Sequence, residues 1–371
     1  MRILFAGGGT AGHINPALAI AGTVREHEPD AAVLYVGAKG GMEERLVPKA
    51  GFEFKSVTIS GFQRKPSWAN LKKNLVTVAH LFTSTQEAKN ILRDFRPDVC
   101  VGTGGYVSGP VIREAMKLGI PSLIHEQNAF PGVTNKALSR KAAYTMLAVS
   151  DAQRYLPPQA RCVLTGNPIR PAVLRAKREE SRKKLGLDER PLILSFGGSL
   201  GARRINEAVA GLLEWSAKTG AFQHIHAYGQ WGRWFPDLLK EKGIDLAAHP
   251  EMDIDNMPDC LAAADLVICR AGAITLSELQ AQAKASILIP SPNVAENHQY
   301  HNAMALVSRN AARILEEKDL SGESLCRLVE ELFEKPQTIR ALSENAGKMA
   351  ITDANERIYR LICELLGRSV S

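Results

Sequence analysis

The sequence predicts an α/β protein of two doubly wound domains with parallel sheets. Three observations carry that prediction. Short apolar runs with no polar alternation recur along the 371 residues, as strands buried on both faces require. Most are followed by a segment of helical periodicity, and such alternation implies parallel sheets with helices on both faces. The opening pattern of strand, glycine loop and helix, MRILFAGGGTAGHINPALAIA, returns in the second half as PLILSFGGSLGARRINEAV. A chain of this length suits two domains. Doubly wound sheets bind ligands at the carboxyl ends of their strands, so both glycine loops are expected to face a cleft.

The elements follow in order. Arg2–Ala6 reads as a buried strand. Asn15 is a favourable N-cap and Pro16 a favourable first helical residue, predicting a helix from Pro16 to Val24 with His13 just before its cap. The positive end of a helix dipole favours the neutral imidazole that a general base requires. Further strands are predicted at Ala32–Val36, Asp98–Gly102, Ser122–His125, Leu192–Phe196, Asp265–Cys269 and Ser286–Pro290. The central stretch RAKREESRKKLGLDERP reads as charged and solvated, with no buried face.

Lys plus Arg exceeds Asp plus Glu by 46 − 39 = 7, and the pI is near 9.1, which fits an anionic partner. The six cysteines form no C-x-x-C pair and mostly fall in apolar runs, so reduced core thiols are expected. No apolar run approaches the roughly 18 residues of a membrane span, and the N-terminus enters a strand directly, with no signal-peptide region. Any membrane role is therefore expected to be peripheral.

Four more segments sit at predicted strand ends. GTGGYVSGP (102–110) is richer in glycine than a connection needs, and HEQNAFPGVTNK (125–136) sets His125, Glu126, Gln127 and Asn128 at a strand tip. GGSLGARR (197–204) can offer backbone N–H groups and Ser199 to a phosphate at a helix start. In CRAGAITLSELQA (269–281), Thr275 and Glu278 fit either a capping box or a carboxylate that accepts from a ribose diol. Gly7, Gly9 and Gly12 spell G-x-G-x-x-G, but a dinucleotide fold wants an acid at the tip of its second strand. Here that strand runs into Val36-Gly37-Ala38-Lys39, and Glu43 and Glu44 come too late. A dehydrogenase is disfavoured.

Seven motifs in order, GGGTAGHINPALAIA, GTGGYVSGP, HEQNAFPGVTNK, GNPIRP, GGSLGA, CRAGAITLSE and NHQYHNA, span nearly the whole chain. In this the sequence resembles the MurG family of bacterial N-acetylglucosaminyltransferases. The resemblance implies the GT-B architecture, with an N-terminal acceptor and membrane-associating domain (1–165), a C-terminal donor domain (166–345) and a last helix (346–371) packing back on the first. It implies inverting transfer from UDP-N-acetylglucosamine to the 4-hydroxyl of lipid I, undecaprenyl-diphosphoryl-N-acetylmuramoyl-pentapeptide, giving lipid II. Peptidoglycan synthesis, cell shape and cell division are the processes implied. The implied location is peripheral, on the cytoplasmic face of the inner membrane. Anionic inner-leaflet lipids and other cell-wall synthesis proteins are the implied partners, with no nucleic acid and no cofactor or essential metal.

Residue by residue, the resemblance places backbone at Ile254 on uracil and Glu278 on ribose. Ser199, Ala273 and Thr275 meet the diphosphate, within the run that also holds Ile274, Leu276 and Ser277. Arg170 lies beside the nucleotide, and Gln299 and Asn128 meet the sugar hydroxyls. Thr10, Ala11 and Gly12 border the donor, in a loop that with Gly104-Gly105 resembles those receiving the acceptor diphosphate. Tyr106, His125 and Glu126 line the same cleft. His13 is the favoured base, and Glu126 a lesser candidate for base or for orienting a histidine.

Three departures stand out. Ala11 replaces a glycine, which would strain a positive φ; Leu200 replaces a glutamine; and NVAENHQ differs before Gln299. Two rival classes are a UDP-sugar enzyme of the same fold, such as a UDP-GlcNAc 2-epimerase, and a non-catalytic nucleotide or nucleic-acid binder. Against the binder, no aromatic-interleaved basic stripe or nucleic-acid module is present. For docking to lipid, GFQRKPSWANLKKNLVTVAHLF (61–82) combines an amphipathic helical pattern with Arg64, Lys65, Lys72 and Lys73.

Overall fold

A computed structural model of the chain describes residues 1–59, 68–244 and 256–369, with backbone alone over 68–81. It divides into two compact units, Met1–Pro168 with Asp353–Ser371, and Ile169–Thr352.

In the first unit the order is β1 (Arg2–Gly7), α1 (Ala11–His27), β2 (Ala32–Ala38), α2 (Glu43–Lys49), β3 (Glu53–Val57), α3 (Trp68–Phe95), β4 (Val99–Gly104) and α4 (Gly105–Lys117). It continues through β5 (Ser122–Glu126), α5 (Val133–Leu138), β6 (Tyr144–Leu147) and β7 (Cys162–Leu164). The seven strands pair in the order β3-β2-β1-β4-β5-β6-β7, all parallel. Strand order reverses between β1 and β4, so the crevice at their carboxyl ends is the switch point where such sheets bind ligands. The loops there are Gly8–Thr10 and the start of α4.

The second unit comprises α6 (Pro171–Arg175), α7 (Arg178–Lys184), β8 (Leu192–Phe196), α8 (Arg203–Thr219), β9 (Gln223–Ala227), α9 (Phe235–Glu241), α10 (Met257–Ala263), β10 (Leu266–Cys269) and α11 (Ala273–Ala281). It then runs through β11 (Ala285–Leu288), α12 (His298–Val307), β12 (Arg313–Ile314), α13 (Gly322–Glu334) and α14 (Pro336–Lys348). Its sheet order is β12-β11-β10-β8-β9, also parallel. The switch point lies between β8 and β10, so the GGSLGA loop and the Arg270–Gly272 loop flank it.

The last helix, α15 (Ala354–Leu365), returns to the first unit. Ile358, Tyr359 and Ile362 share a buried cluster with Ile14, Ile20 and Val24 of α1, and Tyr359 stacks on His27 at 4.3 Å. Leu342 of α14 belongs instead to the second unit's core. For that reason the second division falls at 352, where the sequence reading puts 345; the first falls at 168, against 165.

One expectation fails outright. The charged central stretch is not simply solvated: in α7, Ser181 and Arg182 are buried. Arg178 pairs with Asp265 at 2.7 Å, Arg182 donates to Ala263 O, and Ser181 donates to Asp259. Its buried face is polar, which an apolar-periodicity reading does not detect. All six cysteines are unbridged. No helix among the described residues is long and apolar enough to cross a membrane.

Candidate active site

In the first unit, α1 starts at Ala11, earlier than Asn15-Pro16 suggested. Thr10 is its N-cap in extended backbone (φ −147°, ψ 153°), with no side-chain cap. Pro16 is an interior residue; it lacks the N–H that Gly12's carbonyl would receive, while its ring is buried. His13 therefore lies inside the first turn. Ala11 is helical and escapes the strain anticipated for it, because positive φ falls on Gly9. Helix α4 starts at Gly105, again with no side-chain cap. Gly105 has φ +77°, and a Cβ there would overlap the carbonyl of Gly8. This contact brings two uncapped helix N-termini together at the switch point, and unsatisfied N–H groups with aligned dipoles favour an anion.

The acid missing from the tip of β2 is supplied from further along. Residues 39–42 turn back, so that Glu43, fully buried, accepts from Ala38 N at 2.8 Å. Its carboxylate fills the space under the glycine loop, and a Cβ at Gly8 would overlap it. The dinucleotide reading thus fails for a different reason: an acid reaches the strand tip but serves the protein's own backbone. Burial and then Glu43's charge raise the pKa of Tyr106, which is only partly buried beside the loop.

His13 faces Thr103 O at 3.1 Å and Gln127 Oε1 at 3.2 Å through Nδ1. Thr103 Oγ1 donates to His13 O at 2.7 Å, fixing the turn that carries the ring. Among the described residues, Nε2 has no hydrogen-bond partner.

Two neighbours do not stand where the cleft assignment puts them. Glu126 is buried, and its carboxylate accepts from Asn128 N, Asn128 Nδ2, Gly132 N and Asn135 Nδ2 at 2.9–3.1 Å. Four donors fill the lone-pair positions of a carboxylate, so Glu126 organises the 126–135 loop and has no oxygen free to take a proton. His125 is fully buried and bonded through Nε2 to Gly166 O at 2.9 Å, so it supports the site from beneath. Burial lowers its pKa and keeps it neutral. Asn128 is partly buried, with its amide turned onto Glu126.

In the second unit, α8 starts at Arg203 with no side-chain cap, and the preceding loop exposes Ser199 and Leu200. Their carbonyls accept from Gln230 N and Trp231 N at 3.1 and 2.9 Å, which braces the loop against a turn. Across the switch point, α11 starts at Ala273 with Gly272 as N-cap. Ala273, Ile274 and Thr275 form its first turn. Thr275 and Glu278 are thus third and sixth in the helix, and no capping box exists. Glu278 instead accepts from Arg170 Nε at 2.8 Å, its side chain 8% exposed against 43% for the arginine.

Leu276 is buried, and Ser277 Oγ donates to Ala273 O at 3.2 Å. Gln299 Oε1 accepts from Ser291 N at 2.9 Å. Just before it, Glu296 and Asn297 hold φ of +52° and +50°, backbone strain of a kind that collects at functional segments. Ile254 lies outside the described residues.

Two doubly wound units, each with glycine loops flanking its switch point, define the fold class of the GT-B glycosyltransferases. Residues 3–147 match the glycosyltransferase family 28 N-terminal domain and residues 192–358 its C-terminal domain. The chain belongs to glycosyltransferase family 28. It is 44% identical over 373 aligned positions to the UDP-N-acetylglucosamine--N-acetylmuramyl-(pentapeptide) pyrophosphoryl-undecaprenol N-acetylglucosamine transferase of Thermoanaerobacter sp. (strain X514), covering 98% of this chain and 99% of that one. The protein of the same name from Acetivibrio thermocellus is 43% identical, with 99% and 98% covered. A solved structure of Acinetobacter baumannii MurG is 28% identical with a TM-score of 0.77, covering 98% of this chain and 99% of that one. A UDP-GlcNAc 2-epimerase from Neisseria meningitidis superposes with a TM-score of 0.64 at 12% identity, a likeness of fold alone.

Proposed function

We propose that the chain transfers N-acetylglucosamine from UDP-N-acetylglucosamine to the 4-hydroxyl of lipid I, with inversion, to make lipid II. The observation that carries this reading is the near-full-length identity to enzymes bearing that name. The geometry supports a division of labour. In the second unit, Glu278 would accept from the ribose, with Arg170 holding it. The starts of α8 and α11 would stabilise charge developing on the leaving diphosphate. Ser199, Gln299, Asn128 and backbone near Ile254 would complete the donor contacts. In the first unit, the paired starts of α1 and α4, with Thr10 and Gly104-Gly105, would receive the acceptor diphosphate, and Tyr106 would stand beside it. His13 Nε2 takes the proton from the attacking hydroxyl.

The test is transfer of labelled sugar from UDP-N-acetylglucosamine to a lipid I analogue, with the product's anomeric configuration read by NMR. Formation of UDP-N-acetylmannosamine without acceptor would instead support the epimerase reading.

The reading extends to a peripheral site on the cytoplasmic face of the inner membrane and to a role in cell shape and division. Within the proposed docking segment 61–82, the structure describes a helix backbone from Trp68 and the exposed Phe82; the other side chains lie outside the described residues. Binding to vesicles rich in phosphatidylglycerol or cardiolipin should weaken in high salt and on charge reversal at Lys72 and Lys73, each cation contributing on the order of 1 kcal/mol. Indifference to both would place the docking surface elsewhere.

A further inference from the structure

We propose that Gln127 is a positioning residue that holds His13 as its Nδ1–H tautomer, leaving Nε2 bare; the proposal rests on the reading of His13 as the base. The orientation of the Gln127 amide follows from its neighbours. Its Nε2 stands 2.9 Å from Thr103 O and 3.1 Å from His125 O. Carbonyl oxygens only accept, so that end of the amide is the NH₂, and the end facing His13 is the oxygen. Both neighbours of His13 Nδ1, Thr103 O and Gln127 Oε1, are therefore acceptors, and Nδ1 carries the proton. In a neutral ring the other nitrogen is then unprotonated.

The amide cannot turn over without setting its oxygen against two carbonyls and its NH₂ against Nδ1–H. Gln127 is 2% exposed, so water cannot repair either contact. His125 adds to the lock. Its Nε2–H donates to Gly166 O, which leaves Nδ1 to accept from Gln127 Nε2 at 3.0 Å. The donors run one way: His13 to Gln127, Gln127 to His125, His125 to Gly166. Aligned bonds of this kind polarise one another, and the chain holds the orientation of the ring at its head. The ionisable groups around the chain are His125 itself, Glu126 with its four N–H donors, and Glu43 beneath the glycine loop with Tyr35 and Tyr106.

The first measurement needs no substitution. NMR of isotope-labelled imidazole nitrogens should show His13 protonated at Nδ1 and bare at Nε2 at neutral pH. Gln127→Met leaves Thr103 O as the acceptor still facing Nδ1, so a minor Nε2–H population should appear and kcat should fall roughly three- to tenfold with donor KM nearly unchanged. Gln127→Glu must carry a proton on the oxygen that replaces the NH₂, because that end meets Thr103 O and His125 O. Its other oxygen still accepts from Nδ1–H, so this variant should keep the Nδ1–H tautomer and most of kcat. A bare Nδ1 in the natural chain, an unchanged tautomer in Gln127→Met, or a lost Nδ1–H tautomer in Gln127→Glu overturns the proposal. If the tautomer responds to Gln127→Met while His13→Ala keeps full turnover, the positioning stands and the base role is what fails.

Discussion

The two units open alike and finish differently. Each runs strand, glycine loop, then a helix with no side-chain cap, and each repeats that arrangement across its switch point. In the first unit the space under and beside the loop is filled by the protein's own polar groups: Glu43 under Gly8, Thr103 against His13, and Gln127 behind the ring. In the second, the loop stands out with Ser199 and Leu200 exposed, and the nearby polar pair, Glu278 with Arg170, is held by one bond. The difference teaches that one scaffold, a glycine loop running into an uncapped helix, can be finished in two ways: with side chains that fix a single imidazole, or with the loop left open. In the proposed function the first serves chemistry and the second binding.

Kinetics should separate the two. His13→Ala removes the proposed proton acceptor and should lower kcat by roughly 10²–10⁴-fold, with donor affinity nearly unchanged. Near-normal turnover would break the contrast at its centre. Glu278→Ala should do the reverse, raising donor KM by about tenfold, the loss of one charge-assisted hydrogen bond net of solvation. The variant should lose under about 1 kcal/mol of stability, because the arginine left behind is 43% exposed and water reaches it. A stability loss with unaltered KM would show that the carboxylate is a brace for Arg170 and no ribose contact.

The limits of the sequence lie in the same contrast. The strands were legible because a buried parallel strand is a bare apolar run, and β8 runs over Leu192–Phe196, the residues that pattern picks out. Helix starts were not. Asn15-Pro16 and Thr275-x-x-Glu278 carry the right residues for caps, yet both helices begin earlier, at the N-caps Thr10 and Gly272, where no side chain caps the first turn. Glu43 was out of reach because a turn folds it back onto Ala38. Glu126 looks in sequence like a catalytic carboxylate, and only the geometry shows four N–H groups converging on it. Gln127 reads as one more polar residue at a strand tip; its importance lies in which of its two ends faces His13.

A smaller difference between the units concerns acid. In the second unit, His226 Nδ1 lies 2.7 Å from Ser195 Oγ, which also meets His224 Nε2 at 2.6 Å, and burial pushes the pKa of His226 down to about 3. An unfolded histidine takes its proton near pH 6.5. Stability from the neutral buried ring is thus complete above that pH and is lost as pH falls from about 6.5 toward 3, by up to about 1.4 kcal/mol per pH unit. His125 gives the first unit the same sign. Denaturant midpoints at pH 7 and pH 5 should differ accordingly, and His226→Phe, packed on Phe235, should reduce the difference. An unchanged slope would assign the acid sensitivity to other groups.

The smallest expected effect is the absence of one. If backbone N–H groups and helix starts stabilise the leaving diphosphate, no divalent cation is required there, and chelation by EDTA should leave turnover within about twofold. The sequence makes this a real test, because it contains one Asp-x-Asp, Asp253-Ile254-Asp255, which lies outside the described residues. Such a pair can hold a metal-bound diphosphate, and it surrounds the residue assigned to uracil. Loss of activity with EDTA, restored by Mg²⁺ or Mn²⁺ and abolished again in Asp253→Asn, would move charge stabilisation from the starts of α8 and α11 to that segment. Activity indifferent to EDTA would leave both glycine loops as the anion-binding devices and give the two aspartates no part in the chemistry.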